Sequence, residues 1–198
     1  MSVNLQKGQK VNLRKDNGDK LRRVMVGLGW DEVQQKKKLF GPKPQDVDCD
    51  AAAFLCIDGH VRSVDDIVYF GNLTHRTNCV THMGDNLTGA GVAAGDDEQI
   101  MVDLDALPME YDKVIIIVNI YQAQKRGQHF GMVQNAFIRV CDCETGTEMC
   151  RYNLSENYDR MTSMVFGELY RKNGEWKFNA IGQGTTDDGI AILAQRFT

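Results

Sequence analysis

Oxygen-bearing side chains bracket one glycine-rich stretch, Gly84-Asp85-Asn86-Leu87-Thr88-Gly89-Ala90-Gly91-Val92-Ala93-Ala94-Gly95-Asp96-Asp97-Glu98. Asp85 and Asn86 open it, and Asp96, Asp97 and Glu98 close it. Glycine enters φ > 0 at little steric cost, so a loop of this composition can turn sharply enough to bring its ends together. Carboxylates crowded at one point repel unless solvent or a cation offsets them. Converging hard oxygens suit Ca²⁺, which takes about six to eight of them from carboxylates, amides and carbonyls. Two readings compete. One is a solvated acidic loop. The other is a dinucleotide loop, because Gly89-x-Gly91-x-x-x-Gly95 resembles a relaxed glycine fingerprint. That fingerprint needs a strand before it and a helix after it, with phosphate at the helix N-terminus. Here Asp96-Asp97-Glu98 would repel phosphate, and Ile100-Met101-Val102-Asp103-Leu104 reads as a strand.

Other residues could join the same chemistry. Asp48 and Asp50 are spaced by two, so both face one side of an extended chain and suit a shared cation. The alternative is a polar strand entry. Asn72 follows a strand end and could give an amide oxygen, or act as a plain turn residue. Asp65 and Asp66 fall near the same level, with a plain position before a strand as the alternative, and Asp103 and Asp105 read as solvent-facing. Cys141 and Cys143 share a face at a strand end, with Cys150 returning across a hairpin. Three thiols could hold a soft metal or a chalcogen oxyanion. Their spacing matches no common structural zinc pattern, and cysteine is often a small buried apolar residue. His60, His75, His82 and His129 form no spaced ligand pair.

Short strands must position these groups. Val3 and Leu5, then Val11 and Leu13, alternate in two short pieces, and Leu21–Leu28 follows as a strand after the turn signal Asp16-Asn17-Gly18-Asp19. Further strands are predicted at Ala51–Ile57, Ile67–Phe70, Val114–Tyr121, Ala136–Val140 and Met149–Leu154. Met164–Tyr170 and Trp176–Ile181 flank Asn173-Gly174, a type of pair that favours a tight hairpin. Glu32–Asp46, with Lys36-Lys37-Lys38 and Gly41-Pro42-Lys43-Pro44, reads as an inserted loop. At the C-terminus Ile190, Leu193, Ala194 and Phe197 recur at helical spacing, with Asp187 as the expected cap. Many short strands joined by Gly/Asn/Asp turns predict an all-β fold, a β-sandwich of two mainly antiparallel sheets with a few short helices.

Composition bounds the function. The 198 residues suffice for one well-cored domain, read as 1–198. Lysine plus arginine total 23 and aspartate plus glutamate 27, giving a net charge of −4. Mild acidity argues against a general nucleic-acid binder, whose footprint is basic. No apolar run approaches the ~18 residues of a transmembrane helix, so no direct membrane insertion is expected. The N-terminus lacks the apolar core of a signal peptide. A cytoplasmic location with six reduced cysteines is the resulting expectation.

The assembled pieces resemble the TerD family of tellurium-resistance and stress-response proteins. The matching segments are Gly27-Leu28-Gly29-Trp30-Asp31, Asp48-x-Asp50-Ala51-x-Ala53-Phe54-Leu55, Gly84-Asp85-Asn86-x-Thr88-Gly89-x-Gly91 and Gly95-Asp96-Asp97-Glu98. Arg126-Gly127-Gln128-x-Phe130-Gly131, Asn135-Ala136-Phe137-Ile138-Arg139 and Arg151-Tyr152-x-Leu154-Ser155 follow in order, and then Phe166-Gly167-Glu168-Leu169-Tyr170-Arg171, Gly174-Glu175-Trp176-Lys177-Phe178 and Ile181-Gly182-Gln183-Gly184. The resemblance implies a TerD-like β-sandwich that binds Ca²⁺ through acidic loops at one end, with no established enzymatic activity. The metal-ligand set it implies is Asp48, Asp50, Asn72, Asp85, Asn86, Thr88, Asp96, Asp97 and Glu98. It also implies a scaffold or sensor role through other stress-response or tellurium-resistance proteins, membrane-associated ones among the options. The second functional class is a nucleotide- or metabolite-binding protein that uses the same polar end. One departure stands out. The family's Gly-Asp-Gly-Asp-Asp-Glu is replaced by Gly91-Val92-Ala93-Ala94-Gly95-Asp96-Asp97-Glu98, which loses one acid and lengthens the loop.

Overall fold

A computed structural model describes residues 2–32, 47–84 and 95–198. The lysine-rich connection and most of the glycine-rich loop, with its candidate ligands Asp85, Asn86 and Thr88, lie outside the described residues. The strands, in chain order, are β1 (Val3–Leu5), β2 (Lys10–Asn12), β3 (Arg23–Glu32), β4 (Cys49–Ile57), β5 (Ile67–Val68), β6 (Val80–His82), β7 (Glu98–Asp103), β8 (Tyr111–Ile120), β9 (Val133–Asp142), β10 (Glu148–Asn153), β11 (Ser163–Lys172) and β12 (Glu175–Thr185). They form two six-stranded sheets, β1-β10-β9-β3-β7-β6 and β2-β12-β11-β8-β4-β5. Every pairing is antiparallel except that of β1 with β10. The expected β-sandwich is the observed fold.

The apolar pattern explains the layering. Val24, Val26, Leu28, Ile138 and Val140 of the first sheet share one buried cluster with Ala51, Ala53, Leu55, Ile116 and Val118 of the second. This is the alternation expected when one face of each strand points inward. The run Val114–Val118 is apolar at every position because β8 is covered on both sides. Its Ile115 and Ile117 join a second cluster on the outer face with Phe54, Leu193 and Ala194, against which Ile190 and Phe197 pack. The lid over that face includes the C-terminal helix α1 (Ile190–Ala194).

Asn173 and Gly174 take φ of 55° and 72°, the left-handed pair of a tight hairpin between β11 and β12. The first long strand extends to Glu32, so Gly27 and Gly29 lie inside it rather than ending it. The strand expected over Ile67–Phe70 stops at Val68, because Tyr69 and Asn72 close a turn by exchanging backbone hydrogen bonds. The C-terminal helix exists, but Asp187 does not cap it. Gly189 is its N-cap, and Asp187 pairs instead with Arg196 at 2.5 Å.

The strand directions define two ends. The end of β3, the starts of β4 and β9 and the end of β8 lie together. The Phe130-to-Met161 backbone hydrogen bond ties the sheets there, beside the Asp50–Asn119 and Ser163–Asn119 pairings within the second sheet. This is the end that carries the candidate acids.

Candidate functional site

Gly27 and Gly29 make room for the acidic segment to fold across the first sheet. Gly27 stands opposite Arg139 in the β3–β9 ladder. A Cβ on Gly27 would lie 2.3 Å from Asp96 Oδ2, and one on Gly29 would lie 2.4 Å from the Phe137 ring and 2.6 Å from the Gly95 carbonyl. Asp96 therefore rests in the space a side chain would fill. Arg139 grips it with two parallel bonds, Nε to Oδ1 at 2.8 Å and Nη2 to Oδ2 at 2.9 Å. Gln99 Nε2 adds a third donor at 3.0 Å. The Asp96 carboxylate is wholly buried. A bidentate guanidinium with a further amide is the arrangement that makes a buried carboxylate tolerable. Behind it, Arg151 bonds Glu148 at 2.9 Å and stacks on Phe137 at 4.1 Å.

Glu98 is also engaged. It lies opposite Leu28 in the ladder, on the inner side of the sheet, with its Oε2 2.6 Å from His82 Nε2. The Gly84 N–H donates to His82 Nδ1 at 3.0 Å, so the proton of the neutral ring sits on Nε2, the nitrogen that neighbours Glu98. The pair joins the two strands from which the glycine-rich loop departs and to which it returns.

Asp97 differs from both neighbours. Its Oδ2 accepts the Trp30 N–H at 2.7 Å, and no other donor among the described residues reaches it. Burial against the sheet margin pushes its pKa up, and the charges of Asp31 and Asp96 push the same way, against the Trp30 bond. Asp31 is held by Asn135 Nδ2 at 2.8 Å. Asp97, Asp31 and Asn135 thus form an anionic margin beside the loop. Neither Asp31 nor Asn135 was marked as a ligand by spacing. The available signal was the motif Gly27-Leu28-Gly29-Trp30-Asp31, whose glycines imply a close approach by another segment.

The remaining predicted residues lie apart from that margin. Asp48 pairs with Arg126 at 3.3 Å, and its carbonyl accepts the Tyr121 N–H at 2.7 Å. Asp50 sits opposite Asn119, with the strand alternation that places Ala52 and Phe54 on the outer face of the second sheet. Asn72 donates to the Ile67 carbonyl at 2.8 Å, the turn role weighed above. No three of His, Cys, Asp and Glu converge among the described residues. Asp66 holds a buried network unrelated to that margin. It accepts from Tyr111 Oη at 2.9 Å and from the Ser63 N–H at 3.0 Å, and pairs with Arg76 at 2.9 Å and His75 at 3.2 Å. It locks the turn before β5 to the start of β8.

The three thiols do not converge. Cys150 lies opposite Val140 and faces the interior, whereas Cys141 is one residue further along β9 and faces the other side. Burial pushes Cys141 and Cys143 up to about 11 and Cys150 up to about 12. All are therefore thiols near neutrality, poor nucleophiles and poor metal ligands. The half-buried Cys143 provides the check. Its alkylation rate by iodoacetamide should keep rising about tenfold per pH unit through pH 10, because only the thiolate reacts. A plateau near pH 9, the behaviour of an unperturbed thiol, would contradict the assigned environment.

Comparison with known proteins places this geometry in context. A family model described as the TerD domain matches residues 1–197. Stress response protein SCP2 of Bacillus subtilis (strain 168) is 46% identical over 201 residues, covering 100% of both chains. Tellurium resistance protein TerD of Serratia marcescens is 47% identical over 196 residues, covering 98% of this chain and 97% of its own. A solved homologue of telluride resistance protein (TerD) from Streptomyces coelicolor A3(2) superposes with a TM-score of 0.62 at 22% identity, over 90% of this chain and 98% of that one. That last likeness bears on the fold alone.

Proposed function

Because the chain belongs to the TerD family of tellurium-resistance and stress-response proteins, we propose that it binds Ca²⁺ at its acidic end and works as a scaffold or sensor through protein partners. The observation that supports this reading most is Asp97. It is a carboxylate raised in pKa by burial and by two like charges, with a single donor among the described residues to offset them. Such a group favours a nearby cation. Asp97 and Asp31 would hold the ion, with the Asn135 amide oxygen beside them and Asp85, Asn86 and Thr88 as the sequence-derived contributors. Asp96 and Glu98 would position the loop instead, since Arg139 and His82 already occupy them. Bound Ca²⁺ would supply charge neutralisation and a fixed loop shape, not bond-breaking chemistry, so the role is non-enzymatic. No helix among the described residues is long and apolar enough to cross a membrane. A cytoplasmic location belongs to the proposal, not to that observation.

The alternative at the same end is a small-molecule site. A 320 Å³ cleft beside Asn135 is lined by Gln134, Ser155, Glu156, Asn157 and Tyr158 among others. No lysine or arginine among the described residues lines it, so it suits a neutral metabolite better than a nucleotide phosphate. Calorimetric titration of chelator-treated protein with CaCl₂ tests the first reading. Saturable binding is expected, weakened at least about tenfold in Asp97→Asn, the loss of one carboxylate ligand. No heat and no binding in the wild type would refute the calcium reading.

A further inference from the structure

The end of the sandwich opposite the acidic loops carries a second, chemically different site. A 140 Å³ cleft opens there between the residue 13–21 turn, the 104–109 turn and the β11–β12 hairpin. Leu13, Leu21, Leu104 and Trp176 form its apolar walls, and Arg14, Lys20 and Arg171 bring positive charge. Two acids also line it, but both are engaged: Glu175 by Arg14 and Asp105 by Arg22 at 3.2 Å. Lys20 and Arg171 form no ion pair with the described residues. Lys20 Nζ donates to the Gly174 carbonyl at 3.1 Å.

Arg171 is the centre of the cleft. Its guanidinium lies over the Trp176 ring at 4.7 Å, and its Nη2 donates to the Leu107 carbonyl at 2.9 Å. Trp176 is itself fixed, with Nε1 donating to the Leu104 carbonyl at 2.9 Å. The Arg171 Nε–H is buried and meets no acceptor among the described residues. Among the described residues its Nη1 faces only the sulfur of Met109, a weak acceptor. A buried donor left without an acceptor costs free energy that a matching ligand recovers. Met109 is 75% exposed, so little besides that sulfur contact holds it over the arginine. A flat, pre-positioned guanidinium with unmet donors matches a carboxylate in both shape and charge.

We propose that this cleft binds a carboxylate carried on a short apolar stem, with Arg171 and Lys20 receiving the anion, Trp176 and the leucines receiving the stem, and Met109 moving aside. The cleft admits an acid of a few carbons. A free organic acid and the C-terminal carboxylate of a partner chain share this chemistry. The inference does not depend on calcium at the other end.

Indole resonances in a ¹⁵N-labelled sample provide the test, because the chain has two tryptophans and a Trp30→Phe sample assigns the Trp176 signal. The probes are butyrate, N-acetyl-alanyl-leucine with a free C-terminus, its C-terminal amide, and butylamine. Both acids should shift the Trp176 signal saturably, and the amide and the amine should not. Tighter binding of the peptide acid would identify a chain terminus as the source, and tighter binding of butyrate a free acid. Arg171→Gln should weaken binding at least about tenfold, the loss of a charge-assisted contact. Lys20→Gln, at an exposed position whose change does not threaten folding, should weaken it about two- to fivefold. No saturable shift from either acid, an equal response to the amide, or undiminished binding in Lys20→Gln would overturn the proposal.

Discussion

Arg139→Met is expected to destabilise the protein by about 3–5 kcal/mol, the cost of leaving a buried carboxylate without its partner. Asp96 is wholly buried, and Gln99 alone would remain to answer its charge. At roughly 2–4 °C per kcal/mol for a chain of this size, the melting temperature should fall by about 6–20 °C. Arg139→Lys keeps the charge but loses the paired geometry, so it should recover only part of that loss. A double variant, Arg139→Met with Asp96→Leu, should recover most of it, because an apolar pair of similar volume carries no desolvation penalty. Thermal denaturation of the four proteins decides the matter. An Arg139→Met melting point within about 1 °C of the wild type would mean that solvent reaches Asp96 and the lock is not a lock. Gly27→Ala should act through the same contact, since its Cβ would collide with the Asp96 carboxylate at 2.3 Å. The loop anchor would then be lost while Arg139 remains.

This coupling shows where sequence reading stops. The sandwich was legible because strand physics is local. The Val114–Val118 run, the Asn173-Gly174 turn and the apolar run of β4 each specify an element within a few residues. The acids were legible as a cluster but not in their roles. Asp96, Asp97 and Glu98 are consecutive, yet Gly95 at φ 114° and the entry into β7 send them to three different environments. Asp96 lies on the outer face over Gly27, Glu98 on the inner face beside Leu28 and His82, and Asp97 at the margin with Asp31. Adjacency in sequence cannot reveal that the sheet itself divides them. The partner that binds Asp96 is 43 residues away, and only the β3–β9 register brings it close. Asp66 illustrates the same limit. Read as a residue that merely precedes a strand, it is buried because Tyr111, 45 residues on, begins β8 directly against it.

Calcium should raise the melting temperature of the metal-free protein, and Asp97→Asn should at least about halve that response. A ligand that binds only the folded state stabilises it by about 2.7 kcal/mol when its free concentration is about 100 times the dissociation constant. Asp31 and Asp97 are brought together only by the β3–β7 pairing, so the unfolded chain cannot present them as one site. The expected gain is therefore about 5–11 °C at 2–4 °C per kcal/mol. The sign for pH follows from Asp97. Its pKa is raised in the fold, so the folded state binds the proton more tightly than the unfolded chain does. Ionised Asp97 thus opposes folding of the metal-free protein once pH rises through the raised value, and the opposition fades as pH falls below the ordinary aspartate range. Bound calcium reverses this, because it requires the carboxylate and loses affinity as acid protonates it. Asp97→Asn keeps an oxygen to accept the Trp30 N–H but carries no charge. It should match or exceed the wild type in melting temperature with chelator present, and fall below it with calcium. Asp105→Asn removes the same charge at the opposite end and should leave the calcium response intact. Magnesium should substitute poorly, since it demands a tight octahedron and gives up water reluctantly. Melting curves with chelator, Ca²⁺ and Mg²⁺ for the three proteins carry the test. A wild type with one melting temperature under all three conditions, or an Asp97→Asn protein that gains as much from calcium as Asp105→Asn does, removes Asp97 from the site.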